Sequence, residues 1–309
     1  MKKFRDLIKR DKPLNIIHGT DRWTDCDDCM ALRLLCRAHN EGVINLLGIG
    51  INAVMEYSAP SVSAMLTSEG VDGVSIGVDY NAVDTGERCR YQYLLKDYPH
   101  KVKSNSECEE AYKMYRRLLS YCEGKADITE VGFPQIIMDL LKSEPDEYSP
   151  LSGKELVKEK VNKIWMMAGR WDMEDGAEYN LVNTVRSREA GAYICENSPV
   201  PVTFLGFEIG EKVLTGGKIL DEDDILYKAM EIHGSANGRD SWDPMLTLMA
   251  IINDEKEAGY SRVVGNARVD AMTGKNNFTP CDGGKHCYVI KDFDDAYYID
   301  MINSLIASK

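Results

Sequence analysis

Short apolar runs alternate with amphipathic stretches along the first two thirds of the chain. Leu14-Asn15-Ile16-Ile17 reads as a buried strand, an acidic polar loop follows, and Cys29 to Leu35 then has the apolar spacing of a helix. Asn45 to Ile51 predicts a second strand, Ala59 to Ser68 a helix, and Val74 to Val78 a third strand. The rhythm resumes with a strand at Ile128 to Val131, a helix at Pro134 to Lys142, and strands at Lys163 to Met167 and Val202 to Leu205. Strands followed by helices at this spacing predict an α/β fold with a mostly parallel central sheet and helices on both faces. The segment 143–153 holds Pro145, Pro150 and Gly153 and predicts an exposed, turn-rich loop, after which the same rhythm continues. Residues 1–309 are therefore expected to form a single domain.

Composition narrows the partners. Against 37 Lys and Arg the chain sets 50 Asp and Glu, a net charge of −13. Nucleic-acid binders gain affinity by neutralising phosphates with clustered cations, so this balance argues against a nucleic-acid partner. An acidic cleft suits a metal ion or a neutral polar ligand better. No run approaches the roughly 18 apolar residues of a membrane span. The segment Met1 to Arg10 is basic but lacks the apolar core of a secretory signal, which sets the expectation of a cytoplasmic protein. Nine cysteines without a repeating spacing fit a reducing compartment. Cys26-Asp27-Asp28-Cys29 has the form of a redox pair or half a zinc site, yet no second such pair accompanies it, and structural thiols are the expected reading.

In open α/β sheets, ligands sit beyond the carboxyl ends of the strands, which directs attention to the loop after the first strand. Gly19-Thr20-Asp21-Arg22-Trp23-Thr24-Asp25-Cys26-Asp27-Asp28 places four carboxylates, at 21, 25, 27 and 28, between a strand and a helix. Like charges so close together repel unless they face water or share a cation. A hard, oxygen-seeking ion such as calcium suits this donor set; the alternative is that the aspartates cap the helix and are otherwise solvated. Asp243, in Trp242-Asp243-Pro244 before an apolar helix, carries the same two readings.

The loop resembles the N-terminal signature of the inosine-uridine-preferring nucleoside hydrolases, with Gly19 in place of an aspartate and Trp23 in place of a glycine. Four further segments extend the resemblance in order: Val131-Gly132-Phe133-Pro134-Gln135; Met167-Ala168-Gly169 with Glu178-Tyr179-Asn180; Pro201 to Gly210; and Ser241-Trp242-Asp243-Pro244. It implies the nucleoside hydrolase fold and a calcium-dependent hydrolase that cleaves the N-glycosidic bond of ribonucleosides to ribose and free base. It also implies a homo-oligomer, dimer or tetramer. By resemblance Asp21 would be the general base, and Asp21, Asp28, Asp243 and the carbonyl of Gln135 would surround Ca2+. Asp25 or Asp27, Asp172, Glu178 and Asn180 would meet the ribose. A second sugar-contacting asparagine of the family has no matching motif here; Asn52, after the second strand, is the candidate for it.

Departures leave a second reading open, a non-catalytic or weakly active calcium-containing nucleoside or pentose binder on the same fold. Gly19 removes a carboxylate that would brace the metal loop, and Trp242 stands where some relatives carry an acid histidine; an indole cannot protonate a leaving base near neutral pH. His233, before the glycine-rich stretch 234–238, is either within reach of a leaving base or a surface residue. Tyr91, Tyr93, Tyr98, Tyr112 and Tyr115 read as helix-packing residues rather than a base-stacking platform, and Glu208 carries no assigned role.

Overall fold

The computed structural model describes residues 2–22, 25–82 and 90–307; Trp23, one of the departures from the signature, and Cys89 lie outside the described residues. Among the described residues, ten strands form one sheet: β1 (Leu14–Thr20), β2 (Ile44–Ile51), β3 (Ser75–Val78), β4 (Glu109–Glu110), β5 (Ala126–Glu130), β6 (Val161–Met167), β7 (Val202–Leu205), β8 (Tyr260–Val269), β9 (Asn276–Pro280) and β10 (His286–Lys291). Their spatial order is β4-β3-β2-β1-β5-β6-β7-β10-β8-β9. Every pair from β4 to β10 is parallel, whereas β10–β8 and β8–β9 are antiparallel. This is a single α/β domain with a mostly parallel sheet, as the hydrophobic rhythm predicts. Each predicted strand is present within a few residues of its expected bounds; the antiparallel extension at the C-terminal edge is an addition.

The sheet is covered on both faces because successive residues of a strand point to opposite sides. Ile16 packs into one apolar core with the helices Asp27–Asn40, Ser58–Ser68, Trp242–Ile252 and Asp295–Ile306. Its neighbour Ile17 packs into a second core with Ala111–Tyr121, Gln135–Lys142 and the two helices that flank β6. The order places β1 at the turning point of the sheet: the chain leaves it for β2 on one side, while β5 lies on the other. At such a point the loops after β1 and β5 diverge and open a crevice.

The loop 143–152 is surface-lying as expected but anchored. The buried guanidinium of Arg116 bridges to Asp146 at 2.6 Å and donates to Ser143 Oγ and to the carbonyls of Ser149 and Leu151. Arg116→Met should therefore cost on the order of 3 kcal/mol, since a buried acceptor set loses its cation. Urea denaturation measures the loss, and limited proteolysis should show new cleavage between residues 143 and 152.

Candidate active site

A cleft of about 430 Å³ opens at the carboxyl ends of β1, β5, β6 and β7. Its lining includes Asp21, Asp25, Asp27, Asp28, Val131, Met167, Glu178, Asn180, Arg239 and Asp243, with Tyr179, Phe207 and Trp242 as aromatic walls. The strand-to-helix turn after β1 puts Asp27 and Asp28 in the first turn of the helix Asp27–Asn40. Asp243 enters from the first turn of Trp242–Ile252, which packs beside that helix. One carboxylate oxygen from each of Asp27, Asp28 and Asp243 lies within 4.8 Å of the other two. Asp27 also accepts the backbone N–H of Asp243 at 3.1 Å, so two segments more than 200 residues apart are joined through the acid cluster itself.

The electrostatics are those of an unbalanced anionic nest. Burial, then the charges of Asp28, Asp27 and Asp25, push Asp21 well above the usual carboxylate range. Asp27 and Asp243 are raised in the same way, by burial first and by their acidic neighbours second. Asp28 rises to about 6 through burial, tempered by hydrogen bonds from Thr20 Oγ1 and the Arg22 amide to its Oδ1. Its Oδ2 is buried with no hydrogen-bond partner among the described residues. Clustered hard oxygen donors, one of them orphaned, fit a divalent cation of the calcium type and are a poor match for zinc, which prefers nitrogen and sulfur.

Asp25 and Asp27, interchangeable on sequence, have different surroundings. Burial opposes ionisation of Asp25, but a two-pronged pair with Arg239, closest at 2.5 Å, brings its carboxyl below the usual value. Tyr91 Oη donates to the Asp25 carbonyl at 2.8 Å, which secures the loop from the helix Arg90–Leu95. Asp27 stays with Asp28 and Asp243.

The opposite wall is built on the loop after β6. Glu178 accepts the amides of Gly169 and Asn180 on separate oxygens, and burial lifts it to about 7. Asn180 spends its amide hydrogens on the carbonyls of Val131 and Met167, both at 3.0 Å, tying the ends of β5 and β6 together and leaving its Oδ1 as an acceptor.

Three expected site residues stand elsewhere. Gln135 does not line this cleft; it opens the helix Gln135–Lys142, donates to the Asn52 carbonyl at 2.8 Å and borders a separate cavity with Asn52 and Phe133. Of that turn, Val131 is the residue that reaches the cleft. Asp172 pairs with Arg170 at 2.9 Å on the exposed side of its loop. Asn52 is buried in a backbone-bracing role, accepting the Phe133 amide and donating to Glu130. His233 bonds Ser235 and holds its Nε2 3.8 Å from Asp25 without lining the cleft. Of the tyrosines, Tyr91 and Tyr115 are buried packing residues, and Cys26 and Cys29 are buried free thiols. Glu208 accepts the Trp171 amide at 3.3 Å.

Sequence reasoning missed Arg239 and gave Phe207, inside the segment Pro201 to Gly210, no role. Phe207 follows β7 and stacks on Trp242 at 5.2 Å, while Trp242 Nε1 donates to the Phe207 carbonyl and the Arg239 guanidinium lies over the indole ring at 5.1 Å. A residue in the turn that follows a parallel strand is a recognisable position; nothing local marks Arg239.

The architecture is that of the nucleoside hydrolases. A purine-preferring ribonucleoside hydrolase from Gardnerella vaginalis superposes with a TM-score of 0.72 at 16% identity, covering 94% of this chain and 98% of that one. An inosine-uridine preferring nucleoside hydrolase from Bacillus anthracis gives 0.69 at 15% identity over 95% and 99%. The type III effector protein XopQ, in complex with adenosine diphosphate ribose, gives 0.71 at 12% identity over 98% and 95%. At these identities the likeness is one of fold. No protein-family profile matches the chain, and no curated protein is detectably similar in sequence. Among the described residues, no helix is long and apolar enough to cross a membrane.

The acid cluster sets a pH dependence for the ion-free protein. Asp28 moves from 3.8 to about 6 and Glu178 from 4.5 to about 7, so the fold binds more protons than the unfolded chain across that range. Stability therefore falls as pH rises from roughly 4 to 7. Calorimetry in a chelator should show Tm decreasing over this window, and calcium should raise Tm most at the alkaline end.

Proposed function

We propose that this protein is a calcium-dependent hydrolase of the N-glycosidic bond of ribonucleosides, yielding ribose and free base. The observation that carries the reading is the convergence of Asp27, Asp28 and Asp243, with Asp21 beside them, on the floor of one nucleoside-sized cleft. The fold shared with two solved nucleoside hydrolases supports it, and the XopQ complex extends the supported ligand class to ribosyl groups.

Asp27, Asp28 and Asp243 would hold the ion, and Asp21 lines the same floor. Such an ion, when bound, would lower the pKa of a water at the site and supply positive charge there. Asp21, whose proton affinity is raised by burial and by its neighbours, takes the proton of the attacking water as general base. Glu178, fixed by two backbone amides, and Asn180, fixed through its amide hydrogens, offer acceptors to the sugar from the facing wall. Their negative charge and dipoles stabilise the oxocarbenium-like ribosyl group as the bond to the base lengthens. Phe207 and Trp242, which stack on each other and both line the cleft, give it an aromatic wall beside which a planar base can lie. Trp242 does not protonate that base, because an indole N–H is no acid near neutral pH, and here it is also held by the Phe207 carbonyl. In this reading Asp25 is neutralised by Arg239, and neither Gln135 nor Asp172 has a part.

Incubation with inosine, uridine, adenosine and cytidine, assayed for reducing sugar with calcium or with chelator, tests the proposal. Release that requires calcium, and that drops about 10²–10⁴-fold in kcat in Asp21→Ala, is the expected result. Ribose release unaffected by Asp21→Ala would overturn it; nucleoside binding without any release would favour the non-catalytic binder.

A further inference from the structure

Behind the cleft, in its own layer of the sheet, lies a buried carboxyl that the mechanism does not use. Glu130 ends β5 and is fully buried. In the sheet register it pairs with Gly19 of β1, which pairs in turn with Gly50 of β2. Side chains from one such row leave the same face, and here two of the three positions have no side chain. Glu130 Oε2 fills the space a β-carbon on Gly19 would need, and the Tyr115 hydroxyl fills the space above Gly50. Both oxygens are buried with no hydrogen-bond partner among the described residues. The missing side chain at position 19 therefore does not leave the back of the acidic loop without a carboxyl: one arrives from the neighbouring strand.

The other oxygen of Glu130 is fully engaged. Oε1 accepts Asn52 Nδ2 at 2.7 Å and the Gly132 amide at 3.0 Å. Asn52 in turn accepts the Phe133 amide at 2.9 Å on its side chain and receives Gln135 on its carbonyl. The turn 131–133 is thus fastened at consecutive amides, and it presses directly on the catalytic loop. A β-carbon on Gly132 would stand 2.5 Å from the Asp21 amide and 2.8 Å from the Asp21 β-carbon. Val131, the first residue of the turn, lines the cleft and receives Asn180.

We infer that Glu130 is a positioning residue for the cleft: its carboxyl fixes the 131–133 turn and, through the contact of Gly132 with Asp21, the place of the general base. The inference rests on the hydrolase reading for its kinetic arm but not for its structural one. It attributes the effect to shape and hydrogen bonding, because Oε1 serves only as an acceptor. A glutamine has the same outline and the same acceptor oxygen, whereas alanine leaves the Gly132 amide and Asn52 Nδ2 without an acceptor.

The test compares Glu130→Ala and Glu130→Gln with the unaltered protein in calcium, on whichever nucleoside it cleaves best, with hydrogen exchange measured across the chain. Glu130→Ala should lower kcat about 30-fold, the scale of a sub-ångström to ångström misplacement, with KM within threefold, and should speed exchange at 131–133 with little change elsewhere. Glu130→Gln should restore kcat to within fivefold and normal exchange. Should Glu130→Ala fail to fold, Asn52→Ala, which removes one of the two donors to Oε1, carries the same expectations at smaller amplitude. Unchanged exchange at 131–133, kcat within threefold in the alanine variant, or a glutamine variant as impaired as alanine would each overturn the inference. If the unaltered protein releases no ribose at all, the hydrolase proposal fails, and exchange at 131–133 alone decides the role of Glu130.

Discussion

The constraint on which the site depends is the repulsion among carboxylates that the fold itself forces together. Asp27 and Asp28 lie side by side on one helix, Asp243 begins another, and the packing of those two helices in a shared apolar core leaves the acids no room to separate. In water such a group would disperse; here burial multiplies the cost of each charge. Part of that cost is offset locally, by Thr20 and the Arg22 amide on Asp28 and by the Asp243 amide on Asp27. The remainder explains why every member except the arginine-paired Asp25 is shifted toward protonation.

Rigidity elsewhere is arranged around this imbalance. The facing wall is fastened by bonds that consume donors and leave acceptors: Glu178 takes backbone amides, and Asn180 gives its hydrogens to two strand-end carbonyls. A site made of acceptors suits a ligand made of donors, which is what a sugar hydroxyl or a cation offers. The aromatic side is different in kind. Phe207 stacks on Trp242, whose N–H is held by the Phe207 carbonyl, and Arg239 lies over the indole with its own hydrogen bonds given to Asp25 and Asp240, so this side offers surface and little proton chemistry.

Much of this was legible in the chain. The strand rhythm gives the parallel sheet, and four aspartates in one loop after the first strand point to a cation, because period and charge density are local properties. The strands β8 and β9 were not legible from the same rhythm. Along β8 exposed Arg262, Val264 and Arg268 interleave with buried positions, since this edge of the sheet is wet on one face, and the pattern lacks the continuous apolar run of a strand covered on both sides.

What the sequence by itself determined is the type of element at each place and the identity of the acids in the first loop; both follow from residue types a few positions apart. Only the tertiary structure decided their division of labour. Asp25 and Asp27 differ by which distant partner reaches them, Arg239 or the Asp243 amide. Val131 rather than Gln135 meets the cleft because the helix begins immediately after the turn and carries Gln135 toward Asn52. Glu130 acquires its place because the register of β1 against β5 sets it opposite a glycine. Each of these is a contact across more than 80 residues or between neighbouring strands, and no local pattern encodes which distant group arrives.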